Sequence, residues 1–120
     1  MGKLSLKEAV DGHRKMWNWI AAETVRQERK VCKNEYFDAK DANLNHDCYC
    51  CEYDVQHNRE EDELCQNCFI DWGNESYCWS HGVAYDRWML SISPEDACHY
   101  AEEIADLPLK EKFRQQYEQE

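Results

Sequence analysis

Proline and glycine are scarce, at two and four among 120 residues, and no low-complexity linker or internal repeat interrupts the chain. That excludes a solenoid and a string of tethered modules. No apolar run approaches the roughly 20 residues a membrane-spanning helix needs. The opening "MGKLSLKEAV" leads into an amphipathic pattern and carries no secretory signal. Strand-like alternation is missing, and so is basic charge in the middle, where residues 41–76 hold one base against ten acids. The expectation is one compact, mainly α domain in a reducing cytoplasm, with no membrane association.

What is present is aromatic, acidic and rich in thiols. Five Trp, seven Tyr and three Phe, within 42% hydrophobic residues, support a real core despite a formal net charge of -11. A chain of this length buries about two thirds of its unfolded surface, which leaves little room for an elaborate catalytic cleft. Residues 1–40 lean basic, with nine bases and six acids, whereas residues 94–120 hold three bases and eight acids. Acidity is therefore concentrated in the middle and at the end.

A long helix is expected within residues 1–40. Ser5 followed by Glu8 is a capping-box pattern, so the helix begins near Leu6. Leu6, Ala9, Val10, His13, Met16, Trp17, Ile20, Thr24 and Val31 fall largely at three- and four-residue steps, giving one stripe over roughly 25 residues or more. His13 reads as a packed histidine. Trp19 lies off the stripe, a candidate for a second contact with the middle segment or another chain. Arg14, Lys15, Arg26, Arg29 and Lys30 form a basic face interrupted by Asp11, Glu23 and Glu28, as an ordinary solvated face is. At the other end, residues 83–120 read as helices packing on the first. Tyr85, Trp88 and Met89 mark a short one, and Ser93, Pro94, Glu95 and Asp96 start a second with the stripe Ala97, Tyr100, Ala101, Ile104 and Ala105. Pro108 ends it, and the tail from Leu109 forms a last short helix or frays.

Between them, residues 41–82 carry the chemistry. Cys48-x2-Cys51, thirteen residues, then Cys65-x2-Cys68 is the spacing of a knuckle- or ribbon-like structural zinc site. Each two-residue gap lets a turn aim two sulfurs at one ion about 2.3 Å away. Four thiolates close the coordination shell, which argues against metal catalysis, so no enzymatic activity is expected. Cys50 reads as a spare, and Cys78 with His81 as an alternate ligand pair. Cys32 and Cys98 lie within helical patterns and read as small buried side chains. A thioredoxin-like use of the pairs would need a strand and helix alternation that is missing.

The segments "HRKMWNWIA", "CYCCEY", "CQNCFIDW", a further Cys78, "YDRW" and "IADLPL" together resemble a group of small cysteine-rich proteins encoded by phages of Gram-positive bacteria, over nearly the whole chain. Phe69 stands where that group tends to have proline. The resemblance implies a phage origin, a zinc-bound module and an accessory role inside an infected bacterial cell. It implies no particular reaction.

Bound zinc holds an acid-rich segment in one shape, because metal binding supplies folding energy that a short irregular segment lacks. Glu60, Glu61, Asp62 and Glu63, with Asp54, Asp71 and Glu75, then either form a presented acidic patch or serve only to keep the chain soluble. The expected function is binding to, and inhibiting or modulating, a host protein with a basic surface. The alternative is a zinc-finger nucleic-acid regulator using the basic face of the first helix. Against it stands the charge of the middle segment, since phosphate binding draws on clustered Lys and Arg. The long stripe is also compatible with a dimer. Replacing Cys48 or Cys65 by Ser is expected to lower zinc content below one ion per chain and to unfold residues 45–80. Full zinc content at unchanged thermal stability would overturn the ligand set.

Overall fold

The computed structural model describes residues 4–40, 49–56, 68–73 and 80–119; the side chains of Cys51 and Val55 are outside that description. Helices take 73% of the described residues and no strand forms among them, so the chain is mainly α. The helices are α1 (Leu6–Gln27), α2 (Lys33–Lys40), α3 (Tyr49–Gln56), α4 (Ala84–Leu90), α5 (Pro94–Asp106) and α6 (Glu111–Gln119).

Helix α1 is set by its cap and its stripe. The Glu8 amide donates to Ser5 Oγ at 3.0 Å, and the Ser5 amide donates to Glu8 Oε1 at 2.9 Å, so two orphan donors of the first turn are satisfied reciprocally. Leu6, Ala9, Val10, His13, Met16, Trp17, Ile20, Ala21 and Thr24 are all buried. Each fully buried large apolar side chain contributes roughly 1.5–3 kcal/mol. The helix stops well short of residue 40. Glu28 turns into the left-handed region at φ 55°, and the Val31 amide then donates to Thr24 Oγ1 at 3.2 Å. Val31 is buried, as its place on the stripe suggests, but it gets there by folding back. Residues 33–40 form the separate helix α2, where Glu35 accepts from the Cys32 amide at 2.8 Å.

Helix α5 lies along α1 in the largest helix pair of the molecule. Its buried face is Ala97, Ala101, Ile104 and Ala105, so three alanines one turn apart line the contact. Small side chains there let the two backbones approach closely. Ser93 caps the helix through a 3.1 Å bond from the Asp96 amide, and Pro94 occupies the first turn. After Pro108 the chain pairs with the middle segment: Asp71 N donates to Pro108 O at 2.9 Å and Lys110 N to Phe69 O at 2.8 Å, forming an antiparallel bridge between Ile70 and Leu109. The tail forms α6, held by buried Phe113 and by the Tyr117 hydroxyl, which donates to Asp11 Oδ1 at 2.8 Å.

Aromatic rings fill the angles between helices. Trp17 meets Trp88 of α4 edge to face at 4.8 Å, and Tyr85 stacks on Trp88 at 5.9 Å. Such pairs add about 0.5–1.5 kcal/mol beyond area burial. The short helix marked by Tyr85, Trp88 and Met89 forms as α4, with Trp88 buried and Met89 exposed. Trp19 finds its second contact within the chain, at 5.5 Å from Tyr36 of α2.

Helix α3 crosses α1 at Gly12, where a β-carbon would lie 2.5–2.8 Å from ring atoms of Tyr49. That ring tilts against Phe37, and burial followed by interaction with Tyr36 pushes its hydroxyl pKa up to about 12. Gly12→Ala gains about 1 kcal/mol of helix propensity but must displace the ring, an overpacking cost of roughly 1–3 kcal/mol. The expected net result is a Tm lower by a few degrees on thermal unfolding. A higher Tm would mean that the ring does not rest on Gly12.

Candidate functional site

The two cysteine-bearing segments that the sequence pairs are both mounted on α1. Cys50 sits on the buried face of α3, with its Sγ 3.8 Å from His13 Nδ1. On another side the His13 ring meets Phe69 edge to face at 6.0 Å. Tyr53 of α3 also meets Phe69, at 5.7 Å. Cys68, the residue before Phe69, is buried in the same core cluster. His13 is therefore a packed residue, set between Cys50, which lies inside the first cysteine pair, and Phe69, which follows the second.

Of the four expected ligands, Cys48 and Cys65 lie outside the described residues, and Cys51 is placed on α3 without a described side chain. Cys68 is in place and buried. Among the described residues no group of three His, Cys, Asp or Glu side chains is gathered as a metal would need. The alternates separate. Cys78 is outside the described residues, Cys50 is a core side chain, and His81 is 97% exposed with Nδ1 3.5 Å from Asp86 Oδ2.

The acidic residues expected as a patch also divide. Glu60, Glu61, Asp62, Glu63 and Glu75 lie outside the described residues. Asp54 does not belong to any surface patch: on α3 it is 2% exposed, facing the core like its neighbours Glu52 and Tyr53. Asp54 is buried because the short helix α3 is enclosed on more than one side: Cys50, Glu52 and Tyr53 are buried with it. Asp71 is half-buried and its Oδ1 accepts from the Gly73 amide at 2.9 Å, closing a turn in which Gly73 has φ 97°. Trp72 is buried against Tyr85, at 6.4 Å, and Trp79 is outside the described residues.

Basic groups in the first forty residues are largely occupied. Arg26 pairs with Glu23, holding the Glu23 carboxyl down to about 2 through the Arg26 hydrogen bond and a second from Gln27. Arg29 pairs with Glu35, whose carboxyl is lowered by that bond and by the Cys32 amide. Lys30 donates to Met89 O at 3.0 Å and Ser91 O at 3.1 Å while its ammonium stands 4.7 Å from the Trp88 ring centre. Burial there lowers its pKa. Lys33 lies over Tyr85, and Lys7 and Arg14 over Tyr117.

The two cysteines outside the motif differ from expectation. Cys32 is exposed, because α1 ends before it and the chain turns there. Cys98 is half-buried on α5 and its thiol donates to Glu102 Oε1 at 3.2 Å. No described helix is long and apolar enough to cross a membrane. Compared with protein-family models, curated proteins and solved structures, the chain matches none.

Burial, then the Glu102 contact, push the Cys98 thiol up to about 11. Thiolate is the reactive form, so alkylation of the native protein at pH 8, mapped by mass spectrometry, is expected to label Cys32 well before Cys98. Labelling of Cys98 should accelerate as pH rises toward 11. Equal rates at pH 8 would contradict the placement of Cys98 beside Glu102.

Proposed function

We propose that this chain is a small phage accessory protein, stabilised by structural zinc, that binds a basic surface of a host protein and inhibits or modulates it inside the infected bacterial cell. A nucleic-acid enzyme or an antiphage defence protein presents such a surface. Cys48, Cys51, Cys65 and Cys68 are the residues that would hold the ion, with Cys78, His81 and Cys50 as alternates. The ion's role is to fix the segment, with no catalytic step.

The observation that carries this reading is the meeting of α3 and the 68–73 segment on His13. Helix α3 ends at Gln56 and the next described segment begins at Cys68, and both pack on α1. In sequence, the four consecutive acids at 60–63 fall between them. Complementary charge between such a segment and a basic target speeds encounter and selects against acidic partners. The nucleic-acid alternative is weakened by the pairing of Arg26 and Arg29 with carboxylates and by the engagement of Lys30. Few cations are left to collect phosphates.

Affinity capture with the zinc-loaded protein from nuclease-treated bacterial lysate tests the reading. A stoichiometric protein partner is expected, with capture reduced at least about tenfold when Glu60, Glu61, Asp62 and Glu63 are changed to Lys, and with the fold retained. Recovery of nucleic acid alone, lost as salt rises, would favour the zinc-finger regulator.

A further inference from the structure

We infer that the corner where α1 ends against the α4–α5 junction docks a segment of a partner protein that presents an arginine or lysine beside an apolar side chain. This rests on the reading that the partner is basic, and adds a second contact surface and the chemistry it accepts.

The large hydrophobic side chains exposed among the described residues gather at this corner: Val25 at 62%, Met89 at 55%, Leu90 at 68% and Ile92 at 91%. Lys30 ties the corner together, since its ammonium reaches from just beyond α1 to the carbonyls of Met89 and Ser91. Scattered exposed apolar residues are ordinary, but several at one corner mark an interaction site. Next to them lies a notch of about 280 Å³ lined by Val25, Glu28, Pro94 and Glu95. That is at the lower edge of the roughly 300–1,000 Å³ of small-molecule pockets and leaves room for one long side chain.

Its walls match a long cationic side chain. Val25 and Pro94 offer apolar surface for a methylene stem, and Glu28 and Glu95 offer carboxylates for the charged head. The chain's own neighbouring cations are already committed, Arg26 to Glu23, Arg29 to Glu35 and Lys30 to the two carbonyls. A cation from outside is therefore what completes the notch. Met89, Leu90 and Ile92 then cover an apolar neighbour of that cation. A second copy of this chain brings a net charge of -11 to a carboxylate-lined notch, and a phosphate backbone brings charge of the same sign, so neither complements it.

The test is an NMR titration of the full-length, uniformly 15N-labelled protein with the blocked peptide acetyl-Leu-Arg-Arg-Leu-amide, and with acetyl-Leu-Glu-Glu-Leu-amide as control. Saturable amide shifts centred on Val25, Glu28, Ile92 and Glu95 are expected with the arginine peptide only. Affinity should fall at least about fivefold in Glu28→Gln/Glu95→Gln and in Ile92→Ser, each exposed change leaving the remaining spectrum in place. Absence of saturable shifts, shifts confined to residues 60–63, equal response to both peptides, or unchanged affinity in the variants would each overturn the inference. Concentration-dependent shifts at these residues without peptide would assign the surface to self-association and overturn it too. The outcome is independent of lysate capture. Peptide binding without a captured protein would sink the host-protein reading and leave the notch, and a captured protein without peptide binding would do the reverse.

Discussion

Everything described here leans on one apolar stripe, the buried face of α1 from Leu6 to Thr24. Helices α2, α3, α5 and α6 pack against α1, and Trp88 brings α4 to it through Trp17. The stripe is closed by a ridge of alanines on α5 along one side and by α3 and Phe69 on another. Without that stripe the short helices would have no reason to form, because helices of seven to nine residues are not stable alone in water. The buried residues of the stripe are covered by the chain's own elements.

The electrostatic design follows from the same packing. Most cations of the first forty residues lie against carboxylates, carbonyls or aromatic faces of the chain itself, Arg26 and Arg29 at its surface. Acids of the middle segment are left without comparable company, since residues 41–76 contain a single base. Such pairing leaves the first forty residues net positive, at nine bases and six acids, but commits Arg26, Arg29 and Lys30 to partners within the chain.

Much of the helical framework was legible because the signals were local. Ser5 with Glu8, Ser93 with Pro94, and Pro108 each act through their own backbone, so the starts of α1 and α5 and the end of α5 could be read directly. The break after Gln27 could not, because the left-handed residue is Glu28 where glycine or asparagine would be the usual signal. The burial of Asp54 escapes the sequence for a related reason: in the short helix α3 the inward face is chosen by packing on His13 and Gly12, with little periodicity to announce it. Cys32 was placed inside a helix that ends before it. The cysteine spacing was visible at once, yet which sulfurs gather depends on loops whose path no local rule fixes.

The pairing of the first long helix with the fifth has a consequence for synthesis. A ribosome adds about 5–20 residues per second. Residues 94–106 therefore follow the completed α1 by several seconds, and α6 by slightly more. During that interval α5, the described helix that packs most extensively on the stripe, is missing, and Trp17 waits for Trp88, which is made just before α5 begins. The nascent chain spends its most vulnerable period holding its largest apolar surface open, beside an acidic middle segment whose charge discourages two such chains from meeting.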